Sequence, residues 1–185
     1  MKKMSQSLMF IGIVLLSVVM LSGCASTPQP QSQPEQTPGH YKNDEYRFTV
    51  EYPDNYVPLD LKKDEVFRAA NPNGYNIPVF YVIVADAQAG AALDANAFVA
   101  AVEKGVPGSK RFKILSEKMV TLNDGTSGLA LTYKWTFSDG ATKLQTASMQ
   151  VLKDGKSIST NATTILGGDT TPDKLLEMVS SIKFF

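Results

Sequence analysis

Three regimes of apolar patterning divide the chain. Residues 8–21 form an almost unbroken apolar run behind Lys2 and Lys3. Residues 25–43 then hold no large apolar side chain before Tyr41 and are rich in Pro, Gln and Ser. Beyond them, apolar residues recur with the periods of regular structure. Phe48, Val50 and Tyr52 alternate with Thr49 and Glu51, the two-residue period of a half-buried strand, and Pro53 ends it. A second strand is expected over 66–70, closed by Asn71-Pro72-Asn73-Gly74. Residues 79–85 are apolar on both faces, Val79, Tyr81 and Ile83 against Phe80, Val82 and Val84. A strand of that kind calls for layers above and below its sheet.

The helical period appears twice. Asp94 suits an N-cap ahead of Phe98, Ala101 and Val102, with Gly105 fitted to the left-handed position beyond the helix and Pro107 barring continuation. Near the C-terminus, Thr171 can cap, Pro172 takes the first helical position, and Leu175, Met178, Val179 and Ile182 follow i, i+3, i+4, i+7.

Between these helices Asp-Gly recurs at Asp124-Gly125, Asp139-Gly140 and Asp154-Gly155. The pair suits tight hairpin turns, because the turn needs a positive φ that glycine supplies without steric cost. Three such turns separate β-type runs over 112–122, 127–137, 141–152 and 156–163, which predicts an antiparallel meander. Leu129, Leu131, Tyr133, Trp135 and Phe137 fall on one face of the second run. Ala147, Met149 and Val151 fall on one face of the third. A three-residue loop, Ser138-Asp139-Gly140, would bring both sets together. A two-residue turn at Asp124-Gly125 would add Phe112, Ile114, Val120 and Leu122, giving one strongly apolar face for a helix to cover.

The N-terminal regime bears on location. Leu21-Ser22-Gly23-Cys24 closes the apolar run as a bacterial lipobox closes a signal peptide, and Cys24 is the only cysteine. The run is about fourteen residues, short of the roughly twenty that cross a bilayer, and the first charge after Cys24 is Glu35. The expectation is a signal peptide over 1–23 cleaved between Gly23 and Cys24, with the Cys24 thiol acylated through a thioether. Each buried methylene of such chains adds about 0.8 kcal/mol, and more than one chain anchors stably. Residues 24–43 then form a disordered tether, since they cannot bury enough surface to offset the entropy of ordering. Extended as polyproline II, at about 3.1 Å per residue, it would reach roughly 50–60 Å. Residues 44–185 make one domain of ordinary size. Ala25 after the cysteine, rather than aspartate, points to the outer membrane of a Gram-negative cell, periplasmic side.

The 18 basic and 18 acidic residues cancel. Losing Lys2 and Lys3 with the leader leaves a formal charge of about −2, not the sign of a nucleic-acid partner. The only histidine, His40, falls in the tether, so an imidazole-dependent triad or a His/Cys metal site is not expected. Gly167-Gly168 is a bare pair without a phosphate-loop context. Asp124, Asp139 and Asp154 fit turns better than ligands, and Lys62-Lys63-Asp64-Glu65 fits a solvated loop. No catalytic, cofactor-binding or metal-binding residue is assigned, and the chain is expected not to be an enzyme. Tyr75, an aromatic residue among Pro, Asn and Gly, is a candidate interaction residue.

Tyr46-Arg47-Phe48-Thr49-Val50-Glu51-Tyr52-Pro53 resembles the "Phe-x-hydrophobic-x-Tyr-Pro" strand that opens PsbP-like domains, with Tyr56 where tryptophan is usual. The ending Val179-Ser180-Ser181-Ile182-Lys183-Phe184-Phe185 is similar to the family's "hydrophobic-x-Ser-Phe-x-Phe" tail, with Ile182 in place of phenylalanine. PsbP is the extrinsic subunit of the oxygen-evolving side of photosystem II, and the wider group includes bacterial lipoproteins. The resemblance implies an α+β fold, an antiparallel meander sandwiched between helices (α/β/α). Metal sites of photosynthetic relatives use residues without a match here, so none is carried over. The functional expectation is a non-enzymatic domain, tethered to the bilayer through Cys24, that binds or stabilises an unidentified envelope protein. The alternative is a small-solute or lipid-binding module with an apolar cleft between sheet and helix.

Overall fold

A computed structural model describes residues 39–73 and 77–185. The elements follow in the order β1 (His40–Asn43), β2 (Phe48–Glu51), β3 (Val57–Pro58), β4 (Glu65–Ala70), β5 (Val79–Asp86), α1 (Ala95–Gly105), β6 (Lys110–Thr121), β7 (Ser127–Thr136), β8 (Lys143–Lys153), β9 (Lys156–Ile165), α2 (Pro172–Ser180) and β10 (Lys183–Phe184). They build a seven-stranded sheet, β3-β4-β5-β9-β8-β7-β6, and a three-stranded one, β1-β2-β10. All pairings are antiparallel, and β6 to β9 form the expected meander.

The domain begins before the expected boundary at residue 43. His40 to Asn43 pair with β2, His40 lying opposite Glu51. Tyr41 accounts for the difference: its ring stacks on Phe67 at 4.5 Å and its hydroxyl donates to the Val66 carbonyl at 2.9 Å. One apolar anchor is enough to order the end of an otherwise polar segment.

Both helices start as their caps dictate. Asp94 accepts from the Ala97 N–H at 2.7 Å, and the Thr171 hydroxyl accepts from the Lys174 N–H ahead of Pro172. Gly105 is not the left-handed residue after α1 but its last helical one. Val106 caps the end, its N–H donating to Val102, and the positive φ falls at Gly108.

Turn length decides the register, and two turns differ from expectation. Thr136 pairs with Lys143, and the Phe137 N–H donates to the Thr142 carbonyl, which leaves a four-residue loop over 138–141. An even loop puts Leu129, Leu131, Tyr133 and Trp135 on the face opposite Ala147, Met149 and Val151. Leu122 pairs with Thr126 around a three-residue turn, so Val120 and Leu122 share the Met149 face. A bulge between Ile114 and Ser116 shifts the register again and returns Ile114 and Phe112 to the Trp135 face. Only Asp154-Gly155 is a two-residue turn, both residues at positive φ.

Each face therefore has its own core. On the Met149 face, Phe48, Val50 and Tyr52 of the small sheet and Leu175 and Val179 of α2 meet Phe67, Phe80, Val82, Ala147 and Met149. On the other, Ala95 and Val99 of α1 meet Leu129, Leu131, Tyr133, Trp135 and Leu144. The helix sandwich is thus partial: α2 shares its face with a second sheet, and α1 packs on the β6–β7 side. Within residues 79–85, Val79, Phe80 and Val82 are buried, Tyr81, Ile83 and Val84 are half-buried and Ala85 is exposed.

Candidate functional site

Gly23, Cys24 and Tyr75 lie outside the described residues. The aromatic set on β7 is divided. Trp135 is 8% exposed, stacks on Phe112 at 5.5 Å with 4° between the rings, and donates its Nε1–H to Thr146 Oγ1 at 3.0 Å. Tyr133 is buried beside Phe98 and Phe112. Phe137 reaches solvent at the end of the strand, 42% exposed. Trp135 and Tyr133 fill a core where a groove would need open space.

From Trp135 the same face turns polar across β8, β9 and β5. Thr146 shares a hydrogen bond with Thr163 at 2.9 Å, Ser148 donates to Asn161 Oδ1 at 2.7 Å, and the Asn161 amide donates to Ser159 at 3.2 Å. Thr146, Ser148, Ser159, Asn161 and Thr163 are all buried. The belt continues to Tyr81, whose ring lies 5.8 Å below the Arg68 guanidinium, and Arg68 donates to Glu65 Oε1 at 2.7 Å. Glu65 is thus no part of a solvated loop. Its side chain is 5% exposed, and its other oxygen accepts from the Lys62 N–H at 2.8 Å. A strand residue facing a guanidinium sinks, while Lys62, Lys63 and Asp64 stay exposed.

Burial raises the pKa of Tyr81 and of Tyr133, whose hydroxyl meets the belt at Ser148 and Thr146, so each stays a neutral hydrogen-bonding group. Glu65, the carboxylate at the belt's margin, is already paired. The belt offers hydrogen bonding and orientation, and its members satisfy one another. His40 is half-buried on β1. Among the described residues no group of three or more His, Cys, Asp or Glu side chains is placed to hold a metal ion.

The three aspartates serve their turns. Asp124 accepts from the Thr126 N–H at 3.0 Å and from Lys153 at 2.6 Å, and the Lys153 hydrogen bond is the main cause holding its carboxyl down at about 2. Asp139 accepts from the Thr142 hydroxyl, the main cause lowering its pKa, and from the Thr142 and Ala141 N–H groups at 2.8 Å. Asp154 supplies a positive φ.

Two surface clefts lie among the described residues. One of about 480 Å³ lies between α2 and the segment after β2, lined by Tyr52, Tyr56, Lys174, Glu177 and Met178 among others. The other, about 590 Å³, brings Tyr46, Arg47, Lys156 and Phe185 together near the Asp154 turn. Both mix charge with apolar surface.

No protein-family model and no curated protein matches the sequence. Among solved structures, the chain is similar to the solution structure of cyanobacterial PsbP (CyanoP) from Synechocystis sp. PCC 6803. That likeness has a TM-score of 0.63 at 16% identity, over 86% of this chain and 100% of that one. It is also similar to a crystal structure from Bacteroides thetaiotaomicron VPI-5482, with a TM-score of 0.51 at 12% identity, over 80% of this chain and 49% of that one. The fold is PsbP-like.

Proposed function

We propose that this chain is a bacterial lipoprotein whose PsbP-like domain works by binding or stabilising a protein partner at the cell envelope, without catalysis. The observation that carries the proposal is the closed interior. The Trp135–Phe112 stack fills the space beneath α1, and the buried polar side chains next to it are engaged with one another. A domain so filled acts through its surface. The lipobox ending at Cys24 and the Pro/Gln/Ser-rich stretch after it support a location within reach of a bilayer, on the periplasmic side of the outer membrane in a Gram-negative cell.

In-cell cross-linking of the native chain, read by mass spectrometry, tests the proposal. The expected result is one recurrent envelope protein joined at a compact set of surface residues. A purified chain that turns over a small molecule, or binds one stoichiometrically in its interior, contradicts it.

A further inference from the structure

Near-zero net charge conceals a segregated surface. Lys113 on β6 lies directly opposite Lys134 on β7. One row towards the strand ends, Lys110 pairs with Thr136, which in turn pairs with Lys143. Residues opposite one another in an antiparallel sheet point to the same side, so four lysines share one corner of one face. Like charges directly opposite destabilise a sheet. None of the four has a carboxylate within salt-bridge distance among the described residues. Lysines on an exposed edge strand guard against edge pairing, which accounts for Lys110 and Lys113 on β6. It does not account for Lys134 and Lys143, which lie on interior strands.

The same end of the sheet exposes apolar tips. Phe137 follows β7 at 42% exposure, Ile165 ends β9 at 49%, and Leu166 follows it at 38%. The Leu166 N–H donates to the Lys143 carbonyl, so tips and lysines meet at one end of the sheet, Phe137 and Ile165 projecting from its Trp135 face and the lysines from its Met149 face. The acids at this end are Asp139, engaged in its own turn, Glu103 in the last turn of α1, Asp54 beside Gly39, Glu51 and Glu177 along the cleft, and Asp169 and Asp173 beside α2, so the excess of cations is confined to the β6–β7–β8 corner. The chain also enters the domain here: Tyr52 donates to the Gly39 carbonyl and lines a cleft together with Thr170, four residues beyond Leu166.

Apolar side chains at a tip with a cationic face beside them match the chemistry of an anionic bilayer surface, with hydrocarbon below a layer of negative headgroups. We propose that this end of the seven-stranded sheet docks on anionic lipid, with Phe137, Ile165 and Leu166 entering the interface and Lys110, Lys113, Lys134 and Lys143 meeting headgroups. The proposal rests on the tether described above. A short tether holds a domain at an effective concentration on the order of millimolar, so weak docking suffices to orient it.

The test uses the full acylated chain in vesicles of phosphatidylcholine alone or with phosphatidylglycerol. Acylation consumes the Cys24 thiol, so Phe137→Cys supplies a single site for an environment-sensitive fluorophore, and Asp44→Cys gives a control at the opposite end of the domain. The probe at position 137 should shift to the blue and be quenched by spin-labelled lipid only when phosphatidylglycerol is present. High salt should reverse both changes, as should Lys134→Gln combined with Lys143→Gln, while the probe at position 44 stays in water. A position-137 probe that stays in water on anionic vesicles overturns the proposal, as does one that enters neutral and anionic vesicles alike. In-cell cross-links from this end to an acidic protein, with the probe still in water, reassign the surface to a protein partner. Failure of the tether reading shows separately, as a chain with two labelled thiols and no acyl mass. The same probe in a Cys24→Ser background then decides docking without the tether.

Discussion

Trp135 donates its indole N–H to Thr146 Oγ1 at 3.0 Å, and this bond joins the apolar core beneath α1 to the polar belt beside it. Thr146→Val keeps the shape and removes the acceptor, leaving a buried donor unsatisfied at a cost of about 1–3 kcal/mol. Trp135→Ala should cost about 3–5 kcal/mol, as truncation of a buried large aromatic usually does. Denaturant unfolding followed by circular dichroism measures both. Trp135 emission should be blue-shifted in the folded chain and move to the red on unfolding.

The Glu65–Arg68 pair distinguishes a buried from a surface ion pair. The two side chains are 5% and 13% exposed. Glu65→Ala should therefore cost about 3–5 kcal/mol, because it strands a guanidinium away from water. A surface pair would cost about 0–1 kcal/mol. Equilibrium unfolding of the single variant and of Glu65→Ala with Arg68→Met separates these outcomes, the double variant recovering part of the loss.

Acid titration should reveal the Asp124–Lys153 contact. The folded-state pKa of Asp124 is depressed to about 2, against roughly 3.9 when unfolded. Its contribution is fully present above the unfolded value and fades as pH falls towards 2. Melting curves of the wild type and Asp124→Asn should differ most at pH 5 and above, draw together as pH falls and converge only below pH 2.

Leu175 of α2 is fully buried against the sheet. Leu175→Ala should cost about 2–5 kcal/mol and loosen the C-terminal segment, including β10. Hydrogen exchange should show amides of β2 and β10 losing protection together.

Local signals carried most of the architecture. The alternation of Phe48, Val50 and Tyr52, the caps at Asp94 and Thr171, and the Asp-Gly turns each depend on neighbours within a few residues, and each produced its element. What could not be read was parity. Whether Trp135 and Met149 share a face turns on one residue of loop length at 138–141, and Asp-Gly serves loops of two, three and four residues here. The bulge near Leu115 has no signal in composition at all. The same limit hid the site features. Glu65 looked solvated among Lys62, Lys63 and Asp64 because its partner Arg68 meets it only once β4 is extended. The lysine corner formed from residues up to thirty-three positions apart, which only the meander brings side by side.

The claim on which both proposals stand is the lipid tether at Cys24, and an intact-mass measurement of the chain extracted from bacterial membranes tests it most directly. The account predicts a polypeptide beginning at Cys24, carrying diacylglyceryl and further acyl mass, partitioning into detergent. It also predicts that Cys24→Ser yields only the unprocessed chain without fatty acid. A mature protein with a free Cys24 thiol, or a Cys24→Ser variant that still incorporates labelled palmitate, would contradict it.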